Sequence, residues 1–271
     1  MLGLRLLTTA VGLPLVLLAI LLGPHPFSIF LAVVAAVCTL EICKLAPGSS
    51  RRDPLAVVAT LWAVILATRH ILIPSSSLQN LAITVPLIVA LVLLLPHTHR
   101  NRTFTQWSWM IAGALYVGWL FGHWGALYLL PGGRDLVLFG VIATFAYDSF
   151  AYFSGRAFGR HHVAPRISAA KTWEGAAGGL AATVVIGLLV RMALIAASGS
   201  FPFTISLTVA ITFFVVLAAL VGDLVESALK RSVGAKDAGV VLPGHGGMLD
   251  RFDSLLFVGP MLYYVSLWMA I

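Results

Sequence analysis

Seven of the ten acidic residues lie in the second half of this 271-residue chain: Asp148, Glu174, Asp223, Glu226, Asp237, Asp250 and Asp253. Their spacing is the first chemical signal. Asp223 and Glu226 stand three apart at the end of one apolar run, and Asp250 and Asp253 stand three apart at the start of the next. At that spacing the two members of each pair share a helix face. A loop that folds back between the runs can bring both pairs together. Carboxylates gathered in this way repel one another unless a cation lies between them. Oxygen-only ligands suit Mg²⁺, which takes one or two carboxylates and completes its shell with water and substrate phosphate. The intervening loop carries Lys230, Arg231 and Lys236, the turn Pro243-Gly244-His245-Gly246-Gly247, and then Arg251. Glycines let backbone N–H groups approach a phosphate, and a helix N-terminus favours an anion. Carboxylates, cations and a glycine loop together describe a metal–polyphosphate site.

Each part also has a plainer meaning. An acid at a helix start can simply cap it, as Asp250 could. Lysines and arginines at a membrane face anchor topology, and a Pro-Gly-His-Gly-Gly turn alone is an ordinary loop. The combination within one segment is what carries weight. Asp148, in Phe145-Ala-Tyr-Asp-Ser-Phe-Ala-Tyr-Phe, is an acid in an apolar run, where burying a charge is costly.

The elements that must position these groups are membrane helices. The composition is 60% apolar and 10% charged, against roughly 45–50% and about 25% for soluble domains. That excludes an ordinary soluble fold, a disordered chain and a disulfide scaffold. The expected fold is an all-α integral membrane protein. Apolar runs mark about nine transmembrane helices, near 5–23, 27–46, 54–69, 79–96, 107–130, 136–155, 175–197, 203–226 and 252–271. The first is read as a retained helix, since no small-residue cleavage site follows it. Cys38 and Cys43 share one apolar run and are expected to be packing residues. The histidines show no zinc spacing.

Nine spans place the termini on opposite sides. Fourteen of the 17 basic residues then fall on the N-terminal side, two (Arg69 and Arg134) on the other, and Arg191 inside the seventh span. Basic loops stay in the cytoplasm, so the N-terminus is expected to be cytoplasmic and the C-terminus external. The net charge of +7 is therefore a topology signal, and no nucleic-acid partner is expected. All seven acids of the second half fall at or near the cytoplasmic face. Residues 1–135 read as a membrane scaffold and 136–271 as a membrane-embedded catalytic region.

Residues 227–253 resemble the signature of the phosphatidate cytidylyltransferase (CDP-diacylglycerol synthase) family, S-x-x-K-R-x4-K-D-x-G-x2-L-P-x-H-G-G-x-x-D-R-x-D, with every fixed position filled. A second block is similar to the family: Asp148 to Arg160, followed by Ser168-Ala-Ala-Lys171-Thr-Trp-Glu174-Gly175. Ala169 stands where the family usually has proline, which removes a stiffening ring but no charged group. The resemblance covers residues 140–260. It implies a Mg²⁺-dependent reaction of CTP with phosphatidate, giving CDP-diacylglycerol and diphosphate, with a second cation left open. The expected location is the bacterial inner (plasma) membrane, among membrane lipids, with the site on the cytoplasmic face.

Under that resemblance Asp223 and Asp250 are the expected metal ligands, with Asp253 and Glu226 as additional or alternative ligands. Lys171 and Lys230 are expected to contact phosphate. Arg231, Lys236 and Arg251 would hold the triphosphate or the lipid headgroup, with Gly246, Gly247 and His245 in the same loop. Asp148 and Glu174 would orient the basic residues. A related nucleotidyltransferase or kinase acting on another lipid phosphate or polyprenol is the alternative enzyme. A transporter, suggested by Asp148, Glu41 and Arg191, is the alternative class, but no inverted repeat accompanies them. The small residues of the seventh span, from Gly175 to Ala182, suit close packing with a helix of the same chain or of a homodimer partner.

Overall fold

A computed structural model describes residues 2–47, 54–73, 75–93, 103–239, 241 and 246–269, with 2–11 and 103 described by their backbone only. Arg51, Arg52, Asp53, Arg100, Arg102, Pro243, Gly244 and His245 lie outside the described residues, as does the side chain of Arg5. The architecture is all-α with one small hairpin. The helices are α1 (Leu2–Leu21), α2 (Pro24–Leu45), α3 (Pro54–Leu72), α4 (Ser76–Val92), α5 (Thr103–Ala114), a π-helical turn (Leu115–Trp119), α6 (Leu120–Tyr128), α7 (Gly133–Phe158), α8 (Trp173–Ser198), α9 (Ile205–Ser232) and α10 (Leu249–Trp268). Strands β1 (His162–Ala164) and β2 (Ser168–Thr172) pair antiparallel between α7 and α8.

The described residues of the nine apolar runs are mostly helical. Among the described residues, six stretches are long and apolar enough to cross a membrane: Pro24–Leu45, Pro54–Leu72, Phe104–Tyr128, Gly133–Phe158, Trp173–Ser198 and Ile205–Ser232. Gly12–Leu21 and Ser76–Val92 are shorter apolar helices. In α10, Asp250, Arg251 and Asp253 break up the first turns. The helix ends follow local chemistry. Gly23, at φ 116, separates α1 from α2 and is followed by Pro24 at the first helical positions. Proline there loses no intrahelical hydrogen bond. Gly132 takes the left-handed conformation (φ 67) between α6 and α7, where a side chain would be strained.

Compactness groups the residues into two units: 1–129 with 232–252, and 130–231 with 253–271. The segment 232–252 thus belongs to the same unit as the helices read from sequence as scaffold.

In the first unit, Trp62 is buried in α3, and its indole N–H donates to the Ala82 carbonyl of α4 at 3.1 Å. Trp107 of α5 donates likewise to Ala90 O at 2.9 Å. Buried N–H groups left unpaired would each cost about 1–3 kcal/mol. A Cβ on Gly118 would lie 2.5 Å from Ala63 Cα, so the π-turn meets α3 backbone to backbone. Arg69 is buried at the end of α3. It donates to Leu66 O at 2.7 Å and its guanidinium stacks 4.2 Å over the Trp119 ring. Cys38 and Cys43 are buried and are not joined in a disulfide, as expected of packing residues.

In the second unit, α7 and α8 pack through small residues. A Cβ on Gly175 would lie 2.7 Å from Ala151 O, and one on Gly179 would lie 2.9 Å from Tyr147. Gly175 and Gly179 of the small-residue stripe are thus packed against α7 within the chain. Arg191 donates to Phe203 O at 3.0 Å, so this charge in α8 is held by backbone and does not point to a transport path.

Candidate active site

Four carboxylates of the second unit form one electrostatic group. Asp253, at the start of α10, is 8% exposed and faces the charges of Asp223, Asp148 and Glu226. Its Oδ1 accepts the Ser254 N–H at 2.7 Å, and Ser254 Oγ donates to Asp148 Oδ1 at 3.4 Å. Asp223 and Glu226 lie one turn apart on α9, as their spacing predicts. Two lysines answer them. Lys171, from the end of β2, sits 2.5 Å from Asp223 Oδ2, and Lys230 sits 2.5 Å from Glu226 Oε2, one turn further along α9.

The two pairs differ in access. The Lys171 and Asp223 side chains are 18% and 30% exposed, whereas those of Lys230 and Glu226 are 12% and 1%. The first pair meets solvent and the second is closed. Both ammonium groups are delivered by local structure. β2 pairs with β1 and ends at Thr172, whose hydroxyl caps α8 by accepting the Gly175 N–H at 3.1 Å. The strand therefore fixes Lys171 immediately before a capped helix. Strand pairing also orders the segment around Ala169, where the family's proline is missing.

The donor set is all oxygen and suits a hard divalent cation. Among the described residues, no group of three or more His, Cys, Asp or Glu is arranged to hold a metal by itself. That is compatible with Mg²⁺, which draws most of its shell from water and substrate phosphate.

The neighbouring basic residues are spread over loops. Arg231 brings its Nε to 3.5 Å from Ile167 O, over the hairpin. Glu174 accepts the backbone N–H groups of Arg160 and His161 at 3.1 and 3.2 Å, and pairs with His161 Nδ1 at 2.6 Å. It thus orders the turn after α7, beside an open hollow of about 400 Å³ lined by Phe158, Gly159, Arg160 and His161.

In the first unit, the signature loop is built differently. Asp250 Oδ2 accepts the N–H groups of Gly247 at 2.8 Å and Ala238 at 3.1 Å. The N–H groups of Met248 and Leu249 donate to Glu41 of α2 at 3.0 and 2.8 Å. Phosphate binding by the glycine turn and helix start was one expectation from the sequence. In the structure the N–H groups of Gly247, Met248 and Leu249 are committed to the chain's own carboxylates. Gly246, at φ 85, makes the turn. Lys236 and Arg251 are exposed. Glu41 was not among the expected site residues, although a fully buried acid in an apolar helix was the available signal.

Comparison with known proteins decides the family. The profile of the cytidylyltransferase family matches residues 3–269. This chain belongs to the cytidylyltransferase family. It is similar to the phosphatidate cytidylyltransferase of Bacillus subtilis (strain 168), with 31% identity over 266 residues, covering 96% of each chain. It is 33% identical over 275 residues to the phosphatidate cytidylyltransferase of Pseudomonas aeruginosa, covering 100% of this chain and 98% of that one. The enzyme of the same name from Brucella abortus (biovar 1, strain 9-941) is 41% identical over 169 residues, 59% of this chain and 58% of its own. As a cytidylyltransferase-family member, the chain has its resemblance extended from residues 140–260 to nearly its full length. The N-terminal helices are therefore part of the family's fold, including the α2 helix that carries Glu41.

Proposed function

We propose that this protein transfers CMP from CTP to phosphatidate, forming CDP-diacylglycerol and releasing diphosphate. A phosphate oxygen of phosphatidate attacks the α-phosphorus of CTP, and the bond from that phosphorus to the diphosphate oxygen breaks. The attacking oxygen is already ionised at neutral pH, so no strong general base is required. The problem is to align two polyanions and offset their charge. The observation that carries this reading is the Asp148–Asp223–Glu226–Asp253 group with Lys171 and Lys230 paired onto it.

Lys171, in the solvent-reached pair, is the phosphate contact, and Asp223 orients it. Lys230 is held in the closed pair, so its role is to offset charge near the phosphates. Mg²⁺ held by one or two of Asp223, Glu226 and Asp253, together with water and substrate phosphate, would supply Lewis-acid stabilisation of the transferring phosphate. The signature assigns a metal-ligand role to Asp250 as well. Arg231, Lys236, His245 and Arg251 supply positive charge for the triphosphate or the lipid headgroup.

The proposed setting is a bacterial inner membrane, with nine spans, a cytoplasmic N-terminus and an external C-terminus. The site then faces cytosolic CTP. The six long apolar helices support a membrane setting, and the 14-to-2 distribution of loop charges supports the orientation.

The test is formation of CDP-diacylglycerol by purified protein from CTP and phosphatidate, with and without Mg²⁺. Product that requires CTP and the metal is expected. Parallel reactions with dCTP, ATP and a polyprenyl phosphate separate the alternative lipid enzymes. Turnover of a polyprenyl phosphate but not of phosphatidate would replace this reading.

A further inference from the structure

Glu41 is a fully buried carboxylate of the first unit, and the proposed reaction gives it no role. It sits near the end of α2 with 0% exposure. Taking a carboxylate out of water is costly, so full burial demands committed hydrogen-bond partners. Its partners are the N–H groups of Met248 and Leu249, more than 200 residues away in the chain. Those donors belong to the start of α10, where the first turn's N–H groups have no partner within the helix and the dipole favours an anion. Two glycines close over the same carboxylate. A Cβ on Gly247 would lie 2.8 Å from Glu41 Oε2, and one on Gly239 would overlap Glu41 Oε1. Both glycines belong to the 227–253 signature segment.

We propose that Glu41 is a positioning residue for this segment. Its carboxylate fixes where α10 starts and the path of the chain around Gly239 and Gly247. In doing so it sets the placement of Lys236, Asp237, Asp250 and Arg251, which carry the segment's charge. Gly239 and Gly247 are glycines because a larger residue would meet Glu41. The inference rests on the CTP-dependent reading above and assigns to α2 a task in it.

The experiment compares the parent, Glu41→Gln, Gly239→Ala and the double variant Gly239→Ala/Glu41→Asp, each purified and assayed with CTP and phosphatidate. Gln keeps one acceptor oxygen but turns an amide N–H₂ toward a backbone N–H. Glu41→Gln is expected to lower kcat/KM for CTP by about 10-fold to 10²-fold per folded molecule, with hydrogen exchange at Met248 and Leu249 accelerated. Gly239→Ala is expected to be similarly impaired. In the double variant the carboxylate is one methylene shorter and leaves room for the methyl group, so a recovery of at least about threefold over Gly239→Ala is expected.

Activity of Glu41→Gln within twofold of the parent, or loss only in proportion to the unfolded fraction, would overturn the proposal. Absence of recovery in the double variant would also count against it. If Glu41→Gln does not fold, the Gly239→Ala pair decides alone. If the parent itself makes no CDP-diacylglycerol, the catalytic reading fails. Hydrogen exchange at Met248 and Leu249 in the variants then still decides the positioning role.

Discussion

The two regions that carry this protein's acids satisfy them in opposite ways. In the first unit, Glu41 and Asp250 are held by backbone N–H groups at 2.8–3.1 Å. Those partners are dipoles fixed in the chain, and they cannot move without moving the loop. In the second unit, Asp223 and Glu226 are held by ammonium groups on flexible side chains, and Asp253 is buried among other carboxylates. A lysine can swing from a carboxylate to an arriving phosphate at little backbone cost. A backbone amide cannot. The first arrangement builds a shape, and the second stores charge that a substrate can redirect. Acids that look alike in the sequence, Asp250 and Asp253 among them, thus take different physical parts.

The largest expected effect concerns the closed pair. Lys230→Met removes the ammonium that faces the buried Glu226 carboxylate, which should destabilise the fold by about 3–5 kcal/mol. Adding Glu226→Gln should restore most of that stability, because no charge remains to be compensated. Thermal unfolding in detergent would measure both. A Lys230→Met protein as stable as the parent would show that this pair is not sealed from water.

Next comes the open pair. Asp223→Asn removes charge but keeps shape, and turnover is expected to fall by ~10²-fold or more, equivalent to about 2.7–4 kcal/mol. Stability should change little at a site that solvent reaches. Asp250→Asn sharpens the comparison, since its amide oxygen can still accept the Gly247 N–H. A loss as large as that of Asp223→Asn is expected if Asp250 also serves as a ligand. A loss below about tenfold would confine Asp250 to shaping the loop. CDP-diacylglycerol formation at saturating substrates is the measurement.

Gly175→Ala tests the frame beneath the charge-storing region. Its methyl group would press on Ala151 O at 2.7 Å, and overpacking of this kind costs about 1–3 kcal/mol. A lowered unfolding midpoint is expected, with activity falling as Lys171 loses its fixed position ahead of α8. The smallest effect is expected for Ala169→Pro. This exposed residue lies in β2, whose pairing with β1 already orders it. Activity within about twofold of the parent is expected, consistent with a surface change of roughly ±0.5 kcal/mol. A dead variant would mean that the ring's fixed φ conflicts with the hairpin.

The helices were legible because membrane burial writes itself into composition. A run of about 20 apolar residues is long enough to cross a bilayer wherever its neighbours lie, and the described residues of the nine runs are mostly helical. The pairing of Asp223 with Glu226 on one face of α9 was legible for the same local reason. The hairpin at His162–Thr172 was not. Its strands are three and five residues long, too short for an alternating pattern to stand out. The π-helical turn at Leu115–Trp119 carries no compositional mark either.

The sequence by itself determined that the chain is a set of apolar helices, that its charged chemistry gathers in the second half, and which signature it carries. All of that depends on residue type and spacing along the chain. Tertiary structure alone decided who partners whom. Lys171 and Asp223 lie 52 positions apart by their numbers and meet as an ion pair. Glu41 reaches donors 207 and 208 residues away. A helix pattern says that a buried acid must find partners, because the cost of burial is local. It does not say which distant N–H groups supply them, because that depends on which helices pack together and where the loops return.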